Sequence, residues 1–246
     1  MIDQDAFADL AGRAVWRLAT EQWEAIRRAG DLVYTSLRAG GVLQAFGTGH
    51  SRSVALELVG RAGGLVPANQ LGIRDVVYYG QAVPAEILDP KVERQPGLAA
   101  RIWDLADIDP QDVFVIISNS GGNAAIVEMA RLAGENGHPV IAITSRAHAS
   151  HAGPDTRLAD LADVVIDNGA PYGDAALPLP DGGAICPISN LTGTLAAQLL
   201  VAEVVGRYLA DGETPPVYRS ANTPGGDAHN AALLAAYGSR VRLGDA

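Results

Sequence analysis

Val113-Phe114-Val115-Ile116-Ile117-Ser118-Asn119-Ser120-Gly121-Gly122-Asn123 decides the fold. The five apolar residues read as a buried strand, and the Ser/Gly turn after them opens a stretch of helical spacing at 123–135. The same order occurs earlier in the chain. Val42-Leu43-Gln44-Ala45-Phe46 leads into Gly47-Thr48-Gly49-His50-Ser51, and a helix is predicted from about Ser51 to Ala62. A strand–turn–helix junction aims backbone N–H groups and the positive end of a helix at one spot. Small hydroxyl side chains there donate to an anion without crowding it. Two such junctions in one small domain predict a phosphorylated ligand.

Outward from these turns, residues 3–38 read as helix with a break near Thr20, stopped by Gly40-Gly41. Leu65-Val66-Pro67 reads as a short strand, and 72–95, with weak periodicity, as a long loop. Pro96 starts a helix at 97–107. Further strands are expected at 140–144 and 164–167, a Pro/Gly-rich loop at 168–187, a long helix at 189–209 and a last short one near 228–236. Strands alternating with helices predict an α/β fold, a doubly wound parallel sheet of about five strands flanked by helices. The expected organisation is one domain over 1–246: an N-terminal helical region at 3–38, an α/β core at 42–210 and a tail at 211–246.

Composition narrows the function classes. The chain has 246 residues, 48% hydrophobic and 19% charged, with a formal net charge of −10. It lacks the basic footprint that nucleic-acid binding needs, although oriented backbone dipoles, which escape a charge count, still allow a local anion site. Cys186 is the only cysteine, so an intramolecular disulfide and a four-cysteine zinc site are excluded. That usage, an acidic N-terminus without a long apolar stretch, and the lack of a run approaching the ~20 residues of a membrane span predict a cytoplasmic protein that engages no membrane.

The pairing of GTGHS at 47–51 with SNSGGN at 118–123, followed by Ile141-Ala142-Ile143-Thr144-Ser145, resembles the SIS (sugar isomerase) domain family over about residues 5–210. In finer detail, GHSRSVALELVGRAGGLVP at 49–67, Asp167-Asn168 through Leu177, and Gly225-Gly226-Asp227-Ala228-His229-Asn230 resemble a bacterial subgroup of single-domain SIS proteins. The resemblance implies a phosphosugar ligand. It implies that Ser51, Ser118, Ser120 and Asn123 contact the phosphate, with Gly49, His50 and Asn119 beside them in the turns. Asn123 stands where many members carry Thr. Glu57-Leu58-Val59-Gly60-Arg61 is similar to a stretch of phosphoheptose isomerase, with a gap of about one helical turn. That enzyme also uses a His on its long C-terminal helix, whereas the helix beginning Ile188-Ser189-Asn190-Leu191-Thr192-Gly193-Thr194 has none. N-acetylmuramic acid 6-phosphate etherase places one Glu on the first helix and another in the loop before the helix leading to strand three. Their counterparts by position are Glu57 and Glu93.

Each candidate has a structural reading beside the functional one. Ser residues cap helices in any case, but three in two Gly-rich turns favour phosphate binding. Gly47-x-Gly49 lacks the third glycine of a dinucleotide fingerprint, because Arg52 follows Ser51. Glu57 precedes Arg61 by four residues, the spacing of an exposed helical ion pair, or it is a catalytic base. Glu93 is catalytic or solvated. His50 reaches a sugar oxygen or packs. His229 belongs to a turn and helix cap, or to a tail folding over a cleft, its own or a neighbouring subunit's. His148, His151 and Asp155 have metal-ligand spacing, but a solvated loop is favoured. His138 reads as a loop residue, and Cys186, Tyr78, Tyr79 and Trp103 as packing residues.

Two carboxylates and no helix His favour β-elimination on an N-acetylhexosamine 6-phosphate: one Glu takes the proton beside the aldehyde, the other protonates the leaving oxygen, in either assignment. Aldose–ketose isomerisation begins with the same proton abstraction, and a non-catalytic phosphosugar sensor is the third reading. No metal or organic cofactor is expected. The resemblance and the amphipathic N-terminal region imply a homodimer or higher homo-oligomer.

Overall fold

A computed structural model describes residues 2–151 and 156–242. The chain runs through α1 (Gln4–Glu21), α2 (Trp23–Arg38), β1 (Leu43–Gly47), α3 (Ser51–Glu57), β2 (Ala68–Leu71), α4 (Asp75–Tyr78), α5 (Leu98–Asp104), β3 (Val113–Ile117), α6 (Ala124–Glu135) and β4 (Val140–Thr144). It continues through α7 (Arg146–Ala149), α8 (Leu158–Leu161), β5 (Val164–Asp167), β6 (Ala175–Pro178), β7 (Ala184–Pro187), α9 (Ser189–Ala210) and α10 (Gly226–Leu234). Strands β1 to β5 form one parallel sheet in the order β2-β1-β3-β4-β5. This is the doubly wound α/β fold expected from the sequence.

Successive strand residues point to opposite faces, and both faces are covered, which is why the strands are apolar almost throughout. Leu43, Ala45, Val113, Val115, Ile141 and Ile143 meet α2, α3 and α9 on one side. Phe46, Phe114, Ile116, Val140 and Ala142 meet α5, α6 and α8 on the other. Asp174 fixes the start of α9 by accepting the Ile188 N–H (3.1 Å), the Ser189 N–H (2.8 Å) and the Ser189 hydroxyl (2.6 Å).

Several expected elements are corrected. The strand expected at 65–67 lies instead at 68–71, and Leu65 makes an isolated antiparallel bridge to Val217 of the tail. The helix expected to reach Ala62 ends at Glu57. The loop 72–95 contains α4 and two 3-10 turns, Pro84–Ile87 and Val92–Arg94. The loop 168–187 contains the antiparallel hairpin β6–β7. The N-terminal break falls at Gln22, close to the expected Thr20. His138 is a buried core residue: its Nδ1–H donates to the Asp112 carbonyl (3.1 Å) and its ring lies against Trp103 and Phe114. Among the described residues no helix is long and apolar enough to cross a membrane.

A buried polar network ties the tail to the sheet where the strands begin. Asp112 accepts the Val42 N–H (2.8 Å), the Gln44 Nε2–H (2.8 Å) and the Asp109 N–H (3.2 Å), and pairs with Arg240. Gln44 in turn accepts from Asn69 (2.9 Å), whose own oxygen accepts the Arg242 N–H (3.0 Å). Removing a buried acceptor strands its donors at about 1–3 kcal/mol each. Asp112→Ala is therefore expected to lose about 3 kcal/mol in urea unfolding, and Arg240→Met, which leaves those donors paired, about 1 kcal/mol.

Candidate functional site

In a doubly wound sheet, ligands bind beyond the carboxyl ends of the strands where the strand order reverses. Here that point lies between β1 and β3, and Gly47 at the end of β1 is in register with Ile117 at the end of β3. The two Ser/Gly turns therefore leave the sheet side by side. Gly47 is required by the tightness of the first turn: a Cβ there would stand 2.7 Å from the Ser51 carbonyl oxygen. Thr48 is buried, Ser51 half-buried, and Gly49 and His50 exposed. In the second turn Ser118 is buried and its Oγ accepts the Gly121 N–H (3.1 Å), which leaves its own O–H to donate. Ser120 is half-buried.

Glu93 joins the turns. Val92, buried in the core on the α6 side, holds the short 3-10 turn that carries it. Asn123 stands at the N-cap position of α6 but does not cap it; its Nδ2–H donates instead to Glu93 Oε1 (2.8 Å). Glu93 Oε2 faces the first turn, 3.6 Å from where a Cβ on Gly49 would be. Of the two carboxylates singled out in the sequence, this one is brought to the turns.

Glu57 is placed elsewhere. It ends α3, six residues and thus ~9 Å along the helix from Ser51. Its carboxylate pairs with Arg61 and accepts the Gln198 Nε2–H of α9 (2.8 Å). Nearer the turn, Asn190 of α9 donates to Ser53 Oγ (3.1 Å). His229 donates its Nε2–H to the Val217 carbonyl (3.0 Å), in the segment bridged to Leu65 ahead of β2. That is the end of the sheet opposite the turns, so within one chain His229 does not join them.

Two neighbours of the turns, Arg157 and Asp75, have no part in the sequence reading, and a third, His148, read there as a residue of a solvated loop, is instead half-buried against the second turn. Arg157 lays its guanidinium on Gly122, in the space a Cβ would fill, and its Nε is buried without a hydrogen-bond partner among the described residues. Only the missing side chain at Gly122, thirty-five positions earlier, signals this approach. His148 Nδ1 meets Asn119 Nδ2 at 3.2 Å, and the Asn119 oxygen accepts from Asn168 (3.1 Å). Asp75 is buried where the chain leaves β2. Burial pushes its carboxyl above the ordinary range, against the opposing pull of the Gly72 N–H (2.9 Å) and of Arg74, Arg242 and Arg52. No group of three or more His, Cys, Asp or Glu suited to a metal occurs among the described residues, and Asp155 lies outside them. A groove of about 590 Å³ runs along α6 from Pro96 to Glu135 and meets the second turn only at Gly122, so it is not where the polar groups converge.

This pairing of turns at the switch point of a parallel sheet is that of a phosphosugar-type α/β domain. The sequence profile of the SIS domain matches residues 6–145, and the chain belongs to that family. A UPF0309 protein of Listeria monocytogenes is 35% identical over 240 residues, covering 96% of this chain and 97% of that one. A UPF0309 protein of Streptomyces avermitilis is 38% identical over 242 residues, 96% of each chain. Among solved structures, a phosphoheptose isomerase from Francisella tularensis superposes with a TM-score of 0.56 at 16% identity, over 81% of this chain and 95% of that one. One from Neisseria gonorrhoeae gives 0.52 at 21% identity, with the same coverage. The likeness to these two structures is one of fold.

Asp75 sets a pH dependence. Its folded pKa is raised above the unfolded value of 3.8, so the folded state binds the proton more tightly. The stability this gives is fully present below the unfolded value and is lost as pH rises through the folded one. In urea unfolding from near pH 4 to near pH 7, wild type is expected to lose stability relative to Asp75→Asn, which keeps an acceptor for the Gly72 N–H.

Proposed function

We propose that this protein binds a phosphosugar across its two turns and removes the proton beside the sugar's carbonyl, with Glu93 as the base. The observation that carries the reading is the position of Glu93, held by Asn123 of the second turn while facing Gly49 of the first. The phosphate falls to Ser51, Ser118 and Ser120 with the turn backbone at Gly49, His50, Asn119 and Asn123. Arg157 supplies the fixed positive charge that the net charge of −10 does not suggest.

The substrate class assigned first is an N-acetylhexosamine 6-phosphate. Its acetamido group blocks ketose formation at the second carbon but leaves β-elimination open. Glu93 takes the proton from that carbon, and the electron pair forms the double bond to the third carbon. The third carbon–oxygen bond breaks, and the oxygen leaves as water after taking up the proton that Glu93 removed. Aldose–ketose isomerisation is the second reading. It is favoured by the single carboxylate between the turns, since one base suffices to carry a proton from the second carbon to the first. The phosphoheptose isomerases of this fold are consistent with it. Glu57 and His229 are assigned no part in proton transfer.

The whole chain acts as one domain in this reading, supported by the hold of Arg240 on Asp112 and by the end-to-end match with the Listeria relative. Pairing of two copies is supported by Trp16 on α1 and Trp23 on α2, 72% and 53% exposed. Light scattering at micromolar concentration tests it, and a mass of 25.5 kDa would remove it.

The chemical test is proton NMR of N-acetylglucosamine 6-phosphate with the protein in heavy water. Elimination gives a vinylic signal at the third carbon. Exchange of the proton at the second carbon alone shows abstraction without elimination and moves the assignment to isomerisation of phosphosugars that carry a hydroxyl there, and tight binding without either leaves a sensor. Glu93→Gln is expected to lower turnover by ~10²–10⁴, whereas Glu57→Gln stays within about threefold. Arg157→Gln is expected to weaken phosphosugar binding about tenfold, the loss of one charge-assisted hydrogen bond. Full turnover in Glu93→Gln would overturn the assignment of the base.

A further inference from the structure

Resting on that reading, we propose that His148 is a further ligand-contacting residue, a neutral imidazole whose Nε2–H donates to the carbonyl oxygen of the bound phosphosugar. The tautomer follows from a chain of amides. The Ala170 N–H donates to Asn168 Oδ1 (2.9 Å), which fixes Asn168 with its NH₂ group toward Asn119. Asn168 Nδ2–H then donates to Asn119 Oδ1 (3.1 Å), so Asn119 presents its own NH₂ group to His148 Nδ1 (3.2 Å). An NH₂ group only donates, so Nδ1 accepts and the ring hydrogen resides on Nε2. Nε2–H has no partner among the described residues.

The ring is held as well as oriented. Ser145, at the end of β4, accepts the His148 N–H through its Oγ (2.9 Å) and donates the same hydroxyl to the Ala170 carbonyl (2.6 Å). The loop at 168–170 therefore fixes both the backbone of His148 and the amide that sets its tautomer. Tyr172 from the same loop lies against the ring, with centroids 5.3 Å apart. The Asn119 carbonyl is engaged by the Ser145 N–H (3.2 Å), which anchors the second turn to β4.

Asn119 and Asn123 stand four positions apart in one turn, and each holds a different group: His148 at the first, Glu93 at the second. When Glu93 takes the proton beside the carbonyl, the electron pair moves toward the carbonyl oxygen. A fixed N–H donor there stabilises the charge as it develops. A neutral imidazole does so without taking or losing a proton itself, the division of labour of a carboxylate base and an imidazole electrophile. The donor serves elimination and isomerisation alike.

Long-range ¹H–¹⁵N NMR of the full-length protein, with the His148 signals assigned by their loss in His148→Gln, tests the tautomer. The expected pattern is an unprotonated Nδ1 and a protonated Nε2. It should move toward a protonated Nδ1 in Asn119→Asp, where a carboxylate replaces the donor. Calorimetric titration tests the contact. His148→Gln and His148→Ala are expected to weaken N-acetylglucosamine 6-phosphate about tenfold and to leave inorganic phosphate unchanged. An Nδ1–H tautomer in wild type, or equal weakening of both ligands, would overturn the proposal. Unchanged phosphosugar binding in Ser118→Ala/Ser120→Ala would instead overturn the phosphosugar reading itself.

Discussion

The parallel pairing of β1 with β3 is the constraint on which the rest depends. Their register sets Gly47 beside Ile117, so two turns far apart in sequence leave the sheet at neighbouring points. A slip of one residue would turn Leu43 and Ala45 toward the α6 side and Phe46 toward the α9 side, reversing both cores. The register is therefore secured by burial on both faces, and the site inherits its precision from the hydrophobic layers. The approach of Glu93 has the same origin, because the neighbouring Val92 is sunk in one of those layers.

What was legible in the sequence was local. The strands at 113–117, 140–144 and 164–167 are short apolar runs closed by turn residues, so the boundaries expected from the sequence are the observed ones. The turns themselves follow from glycine and serine chemistry that needs no tertiary information. β2 was displaced because hydropathy favours Leu65-Val66, whereas the ladder is built from Ala68-Asn69-Gln70-Leu71. Asn69 and Gln70 tolerate burial there because Gln44 and the Arg52 carbonyl satisfy them, at 2.9 and 3.1 Å. No single-sequence scale sees partners that arrive from other strands.

The same limit governed the site. Glu57 and Glu93 look alike as residues, and only the path of 72–95 separates them. One is delivered to Asn123, the other taken up by Arg61 and Gln198. Arg157 reaches Gly122 because α8 packs on α6. His148 reaches Asn119 because β3 and β4 are neighbours. Each contact joins segments whose proximity is a property of the sheet order, so spacing in the sequence carries no trace of it.

The two ends of the sheet differ in a way that separates structure from function. Where the strands begin, most polar groups are spent on one another: Asp112, Gln44, Asn69 and the Arg242 N–H form a bonded chain, and among the described residues the Arg240 Nε and the Tyr218 hydroxyl are buried there without a partner. Such a network holds the tail down and offers little to a ligand. Where the strands end, donors without an acceptor among the described residues stand around the second turn, including the Ser118 hydroxyl, the Arg157 Nε and the His148 Nε2–H. A buried donor without an acceptor, such as the Arg157 Nε, is costly inside a fold; it lies on Gly122, and at the next residue of the turn Asn123 holds Glu93, which faces the first turn. An oxygen-rich anion with a carbonyl a few bonds from its phosphate supplies the acceptors these donors lack. The acidity of the chain does not oppose this, because nearby dipoles and the Arg157 guanidinium on Gly122 act at the turns directly, whereas exposed charges farther away than a Debye length of ~10 Å are screened.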